Sequence, residues 1–176
     1  MLKNIFILLM LSFSVNCVAE NLQSDFETVN SSLKWKLAFE DNCTGNWTDN
    51  WFLDGKYAAI ENSEDGMLFS AGPEVGNDAH HAVLWTKESF KGDIKIEYDY
   101  IRTDSAVKYV NILYIQATGD GEGEFVEDIS KWNNLREIPA MGTYFENMNL
   151  LHISFAALKM MVKDIIMCVP EDILNQ

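Results

Sequence analysis

The feature that most constrains this chain is a series of short apolar segments that alternate with period two and are separated by turn-forming residues. Such alternation is typical of half-buried β-strands. Glycine-containing turns punctuate it, among them Asp54-Gly55, Asp65-Gly66 and the loop 119–123. Strands are predicted at residues 33–39, 57–61, 67–70, 82–85, 93–102, 109–118 and 152–157. Strands at this spacing, with only residues 124–136 resembling a short helix or ordered loop, predict an all-β sandwich or jelly roll.

The amino terminus has the pattern of a secretory signal peptide. A positive start at Lys3 precedes an apolar run over residues 5–15, too short to span a bilayer, and Ala19 is a small residue at the cleavage position. We therefore expect a signal peptide over residues 1–19, a leader over 20–32, and a periplasmic or secreted protein with no membrane span. Lipidation at Cys17 is the alternative, although residues 14–16 match a lipobox poorly.

The charge balance limits the classes of partner. The net charge is -14 and no basic cluster interrupts it, which argues against nucleic acid and anionic membrane surfaces. It argues less strongly against an anionic glycan, because a local arginine pocket can offset the global field. Cys43 and Cys168 remain after the leader without a disulfide-framework spacing, so we expect them to be unpaired. The sequence does not define a cofactor.

Two carboxylates lie on one face of the predicted strand 93–102. Glu97 and Asp99 are about 6–7 Å apart by strand rise, which is the raw spacing of the carboxylate pair in glycoside hydrolysis. Sandwich glycosidases of the laminarinase type carry a third carboxylate on this face, and here it is missing. An exposed strand face, with Lys95 and Glu97 in solvent, is therefore the favoured interpretation.

His80 and His81 are adjacent, so a strand would point them to opposite faces and at most one would enter a given cleft. The pair does not make a metal site without a third ligand, and we predict none. His81 shares its face with Val83 and Trp85. A histidine among such neighbours is more often a hydrogen-bonded core residue than a base.

The predicted strand 109–118 is almost entirely apolar, which indicates a central strand buried on both sides. Asn111 and Gln116 are the exceptions, and a buried amide needs a hydrogen-bonding partner or a ligand. Sugar sites combine such amides with aromatic rings. The available rings, most of which we expect in the core, are Trp85, Tyr98, Tyr100, Tyr114 and Trp132.

Several motifs, in order along the chain, are similar to the YesU-like family of domains of unknown function. They are Trp51-Phe-Leu-Asp-Gly55, Gly66-Met-Leu-Phe-Ser-Ala-Gly72, His80-His-Ala-Val-Leu-Trp-Thr86, Gly92-Asp-Ile-Lys-Ile-Glu-Tyr-Asp-Tyr100, Ile115-Gln-Ala-Thr-Gly119 and His152-Ile-Ser-Phe-Ala-Ala157. The resemblance implies a concanavalin A-like β-sandwich over residues 33–158 and an association with bacterial polysaccharide breakdown. It implies no particular reaction.

Residues 159–176 differ from the ending that the resemblance implies, a strand of the type Tyr-Val-Arg-Ala-Arg-Arg-Tyr-Pro. Codons for residues 160–173, read from their third bases, permit Tyr-Tyr-Tyr-Val-Arg-Ala-Arg-Arg-Tyr among the shifted products. We therefore interpret the tail 159–176 as the product of a frameshift. The sandwich would then lack its native last strand, and Met160–Gln176 would carry no function.

The leading hypothesis is a secreted glycan-active protein that degrades oligo- or polysaccharides as a lyase or glycoside hydrolase. The alternative is a non-catalytic carbohydrate-binding module, which needs rings and amides but no titratable pair. In a lyase, a histidine or tyrosine would take the proton alpha to a uronate, while Arg102 and Gln116 would neutralise or hydrogen-bond its carboxylate. Candidates for catalysis are His81, Tyr98, Tyr100, Arg102 and His152. Candidates for substrate binding are Trp85, Asn111, Tyr114, Gln116, Trp132 and Arg136.

Overall fold

The computed structural model describes residues 27, 28, 30, 31, 34–104, 109–132 and 137–155, and the backbone of 161–169. The predicted signal peptide, most of the predicted leader, Arg136 and residues 170–176 lie outside the described residues. The chain divides into two units, Met1–Leu37 and Ala38–Gln176. In the first unit, the indole N–H of Trp35 donates to the carbonyl of Asn30 at 3.3 Å. All elements named below belong to the second unit.

The described part of the second unit consists mainly of strands. The strands are β1 (Trp51–Asp54), β2 (Ala59–Ser63), β3 (Gly66–Ser70), β4 (Val83–Thr86), β5 (Ile94–Ile101), β6 (Asn111–Gly119), β7 (Met148–Phe155) and β8 (Met161–Val169). Short 3-10 helices occupy Trp47–Asp49, Asp78–His80 and Ile129–Trp132, and the α-helix α1 spans Met141–Asn147. The prediction of a β-rich fold with little helix is confirmed. None of the described helices is long and apolar enough to cross a membrane.

The strands associate as small antiparallel sheets. The pairs among the described strands are β1 with β4, β2 with β3, β5 with β8, and β6 with β7. Two of these pairs are irregular: the β5–β8 register shifts between Tyr98 and Tyr100, where β8 has the extra residue, and the β6–β7 register shifts between Ile115 and Thr118, where β6 has it. Extra residues of this kind bend a strand and redirect side chains.

The predicted strand at 33–39 is wrong for the described residues 34–39, which form no strand. Leu37 is 72% exposed, although a strand in the predicted register would bury it. Period-two alternation favours a strand only where a neighbouring strand takes up the backbone hydrogen bonds.

Part of the tail forms a strand with the sequence that the chain has. Residues 161–169 form β8 and pair antiparallel with β5, in a register that runs from Ile94 opposite Val169 to Ile101 opposite Met161. The segment Met-Val-Lys-Asp-Ile-Ile-Met-Cys-Val is rich in β-branched residues, which favour extended backbone. This edge of β5 therefore has a hydrogen-bonding partner in the chain as it stands. The frameshift interpretation stays a prediction.

The core of the second unit forms around two fully buried aromatic residues, Trp132 and Tyr144. Val83 and Trp85 of β4 and Met148 of β7 complete the buried cluster. The indole N–H of Trp132 donates to the Val126 carbonyl at 2.8 Å, so this buried ring has its polar atom satisfied. The core thus lies between the β1–β4 pair, the β6–β7 pair and α1.

Candidate functional site

Three rings lie side by side where α1 meets the β6–β7 pair. Tyr114 is directly opposite His152 in the register, so both side chains are on one face of the pair. The ring of Phe145, on α1, has its centroid 6.4 Å from that of Tyr114 and 5.3 Å from that of His152. Phe145 is 48% exposed, His152 is exposed and Tyr114 is half-buried. We call Tyr114, Phe145 and His152 the α1 surface.

A buried carboxylate supports the α1 surface from below. Asp54, at the end of β1, is 3% exposed. Its Oδ2 accepts hydrogen bonds from Trp85 Nε1 at 2.6 Å and from the Tyr144 hydroxyl at 3.1 Å. The Trp85 ring stacks on Tyr114 with a centroid distance of 5.6 Å and an interplanar angle of 12°. The carboxylate therefore fixes both α1 and the ring beneath Tyr114.

The phenols among the predicted site residues stay protonated at neutral pH. Burial raises the pKa of Tyr114 to about 12, and its hydroxyl donates to Met141 Sδ at 3.5 Å. Burial also raises the pKa of Tyr98 and of Tyr100. A proton-abstracting base needs a lowered pKa, so these phenols are suited to contact or donation rather than to abstraction.

The two adjacent histidines occupy different environments. His80 ends the 3-10 helix Asp78–His80, and its ring stacks on Tyr57 with a centroid distance of 4.3 Å. His81 caps the same helix, and its Nδ1 lies 3.1 Å from the Pro139 carbonyl oxygen. Pro139 is two residues before α1, so His81 is positioned by the segment that leads into the α1 surface.

Three of the predicted site residues form a separate cluster that packs β5 against β6 and β7. The Asn111 amide donates to the Tyr100 hydroxyl at 2.5 Å. The rings of Tyr100 and Tyr98 have centroids 5.2 and 6.4 Å from that of Phe155. Asn111 is an odd number of residues from Tyr114 on β6, so this cluster lies on the opposite face of the β6–β7 pair from the α1 surface.

Arg102 is engaged within the chain. It is 7% exposed, and its Nε and Nη2 donate to the two carboxylate oxygens of Asp104 at 2.8 and 3.1 Å. Its Nη1 donates to the Tyr109 carbonyl at 2.8 Å. The hydrogen bond to Asp104 raises the pKa of Arg102. Through these hydrogen bonds, Arg102 links the end of β5 to the segment that leads into β6.

Gln116 and Trp132 also have internal partners. Gln116 has a positive φ of 50° in the irregular part of β6, and its Nε2 donates to the Gly92 carbonyl at 3.1 Å. Trp132 presents no exposed surface. The predicted substrate-binding residues therefore divide: Trp85 and Tyr114 belong to the site or its support, whereas Asn111, Gln116 and Trp132 have structural contacts. Arg136 lies outside the described residues.

The carboxylates of β5 are exposed, as the sequence favoured, whereas the Lys95 side chain, expected in solvent, is only 18% exposed. Glu97 lies 3.2 Å from Lys95 Nζ, and Asp99 is at the position where the β5–β8 register shifts. An exposed carboxylate lacks the apolar pocket that surrounds the acid of a glycosidase.

Away from the α1 surface, a surface pocket of about 440 Å³ is lined by polar and acidic residues. Its lining is Glu40, Asp41, Asn42, Gly45, Asn46, Asp49 and Asn50. Asp41 Oδ2 accepts from Trp51 Nε1 at 2.6 Å and from Asn50 at 3.1 Å, so this carboxylate braces the turn itself. Within the described ranges, no three histidine, cysteine, aspartate or glutamate residues are grouped so as to hold a metal ion.

No protein-family model, curated protein or solved structure matches this chain. The similarity to the YesU-like family therefore depends on the sequence motifs alone, and it stays a prediction. The function has to be argued from the chemistry of the α1 surface.

Sequence reasoning identified Tyr114 and His152 but missed their neighbour Phe145, and it missed the supporting residues Asp54 and Tyr144. Asp54 precedes Gly55, and that pair has the signature of a turn. The spacing of Met141 and Phe145 by four residues, which places both on one helix face, was an available signal.

Proposed function

We propose that this protein is a secreted glycan-binding protein that acts in polysaccharide degradation, with a concanavalin A-like β-sandwich fold of the YesU-like type. The observation that carries the proposal is the α1 surface, a row of three rings above a hydrogen-bonded core, in which Phe145 and His152 are exposed and Tyr114 is half-buried. Carbohydrate sites place the apolar face of a pyranose on such rings and surround it with a few polar groups. A rigid support keeps the entropic cost of binding low, because the rings are already ordered.

The contacts favour binding over turnover. The phenols stay protonated, Asp54 Oδ2 is engaged by Trp85 and Tyr144, and Arg102 is held by Asp104. A hydrolase or lyase needs an acid and a base of tuned pKa within reach of the reacting bond. A binding module needs only the rings and a few hydrogen-bonding groups.

The test is a matched pair of phenylalanine variants. Phe145→Ala removes the central ring of the α1 surface, while Phe69→Ala removes a ring that is 42% exposed on β3. We expect Phe145→Ala to weaken binding to a pectic or algal glycan about tenfold and Phe69→Ala to leave it unchanged. Affinity electrophoresis against a panel of polysaccharides measures this, with circular dichroism to show that both variants are folded. Equal losses in the two variants, or no binding by the unmodified protein, would contradict the proposal.

A lyase or glycoside hydrolase is the second candidate, and it is favoured by the two histidines at the site, His81 and His152. Release of reducing ends or unsaturated uronates from the glycans that bind would support it. Turnover that disappears in His81→Asn or His152→Asn, with binding retained, assigns catalysis to that histidine. Binding without any turnover favours the module.

Secretion has its own test. The mature protein is expected to begin at Glu20, which amino-terminal sequencing of the exported chain checks directly. A retained amino terminus, or a lipid on Cys17, would contradict this part of the proposal.

A further inference from the structure

His80 and His81 differ in which ring nitrogen is available to a ligand. In His80, Nδ1 accepts the backbone N–H of Glu74 at 3.0 Å. Since Nδ1 is an acceptor, the proton of the neutral ring is on Nε2, which lies 3.2 Å from the Glu74 carboxylate. The side chain is 11% exposed and Tyr57 covers one face. Both nitrogens of His80 are therefore engaged within the protein.

His81 has the opposite arrangement. Its Nδ1 lies 3.1 Å from the Pro139 carbonyl oxygen and 3.6 Å from Asp78 Oδ1, and both of these atoms can only accept. The proton of the neutral ring is therefore on Nδ1, and Nε2 keeps its lone pair. The side chain is 37% exposed, and Nε2 has no hydrogen bond within the described residues and is not buried. This nitrogen faces solvent as an acceptor of fixed orientation.

The ring of His81 is linked to the α1 surface through one short segment of the chain. Pro139, which orients the ring, is two residues from Met141, so their Cα atoms are at most about 7.6 Å apart. Met141 accepts the hydroxyl of Tyr114 at 3.5 Å. His81 and Tyr114 are therefore anchored to the same short segment.

We propose that Nε2 of His81 accepts a hydrogen bond from a hydroxyl group of a carbohydrate bound on the α1 surface. This inference rests on the proposed function and names the residue that adds polar selectivity to the rings. Stacking on rings tolerates many sugars, whereas a site built to pair a hydroxyl rejects analogues that lack it. The fixed Nδ1–H of His81 makes Nε2 the matching acceptor.

The first experiment needs no ligand. Long-range 1H–15N NMR assigns the tautomers: we expect the proton of the neutral ring on Nδ1 of His81 and on Nε2 of His80. Diethyl pyrocarbonate, followed by peptide mass spectrometry, should modify His81 much faster than His80. A proton on Nε2 of His81, or equal modification rates for the two residues, would overturn the inference.

The second experiment uses variants that separate the two ring nitrogens. His81→Asn places an amide N–H near the position of Nδ1, so it keeps the contact with Pro139 but removes Nε2. His81→Gln instead places an amide oxygen near the position of Nε2. We expect His81→Asn to weaken glycan binding about three- to tenfold, and His81→Gln to restore part of the affinity. His80→Asn is the matched control, and it should leave the affinity unchanged.

These outcomes separate the two proposals. Unchanged affinity in His81→Asn, while Phe145→Ala loses binding, overturns the role of His81 and leaves the proposed function standing. A folded, unmodified protein that binds none of the glycans overturns both.

Discussion

The α1 surface and the β2–β3 hairpin both expose large apolar side chains, but they differ in what lies beneath those side chains. Under the α1 surface are the buried carboxylate of Asp54, with its two donors, and the fully buried Trp132. In the hairpin, Leu68 and Phe69 are 47% and 42% exposed, and none of the buried hydrophobic residues of the described part belongs to β2 or β3. An exposed ring on a rigid support is ready to bind, whereas one on a thin hairpin has no such preorganisation.

The histidines extend this comparison. His80, which follows the hairpin, has both nitrogens occupied, and His81 leaves one open beside the α1 surface. Adjacent positions in the sequence therefore have different chemistry, because each ring was fixed by a different segment. Exposure alone does not define a binding site. A binding site also needs a polar atom that is held in place and has no hydrogen bond within the protein.

The largest expected effect comes from removing the support of the α1 surface. Asp54→Ala leaves the Trp85 indole and the Tyr144 hydroxyl without their buried acceptor, and should destabilise the protein by about 2–4 kcal/mol. Urea denaturation followed by tryptophan fluorescence measures the change. Glu61→Ala, which removes an exposed carboxylate from β2, is the control and should stay within about 0.5 kcal/mol. Similar losses of stability in Asp54→Ala and Glu61→Ala would contradict the difference between the α1 surface and the hairpin.

A second test acts on the backbone beside Trp132. A Cβ on Gly119 would lie 2.0 Å from the Val126 carbonyl oxygen and 2.5 Å from that of Phe125, so the chain must move. Gly119→Ala should cost about 1–3 kcal/mol, measured by urea denaturation. Gly45→Ala is the control, because a Cβ there meets nothing within 4 Å. An unchanged free energy of unfolding for Gly119→Ala would contradict the tight packing of Gly119 against Phe125 and Val126.

The third test concerns the hairpin side. A Cβ on Gly72 would lie 2.6 Å from His80 Nδ1 and 2.8 Å from Tyr57 Cβ, so it should displace the stacked rings. We expect Gly72→Ala to destabilise the protein by about 1–2 kcal/mol and to make His80 reactive toward diethyl pyrocarbonate. Glycan binding should not change, because His80 lies outside the α1 surface. A loss of binding in a folded variant would show that the two regions are coupled.

The smallest effect is expected within α1 itself. A Cβ on Gly142 would meet nothing within 4 Å, and alanine is the better helix former. Gly142→Ala should therefore stabilise the protein by about 0.5 kcal/mol, seen as a small rise in Tm, without changing glycan affinity. A fall in affinity would indicate that α1 has to move when a ligand binds.

Much of the strand pattern was predictable from the sequence, and there are physical reasons why the remaining elements were not. β5 followed from long period-two alternation, and β6 followed from a long run that is almost entirely apolar. β1 did not, because four residues are too few to show a period and Asp54-Gly55 has the signature of a turn. α1 was missed because Ala140 provides no side-chain cap, and Gly142 disfavours a helix. Its formation depends on burying Tyr144.

For the site, residue type was enough to single out His81, Tyr114 and His152, but not to group them. Grouping required the β6–β7 register, which places His152 opposite Tyr114, and the position of α1, which adds Phe145. The role of Asp54 could not be predicted from the sequence, for another reason. A buried carboxylate that accepts two hydrogen bonds has the same local sequence as an exposed one in a turn.

The sequence by itself determined a β-rich chain of acidic charge, because alternation and composition are local properties. The tertiary structure alone decided which rings are core and which are exposed, and which nitrogen of each histidine is open. Those properties depend on partners far away in the chain, such as Pro139 for His81 and Tyr144 for Asp54. Burial and hydrogen-bond occupancy are set by such long-range contacts, and no local pattern encodes them.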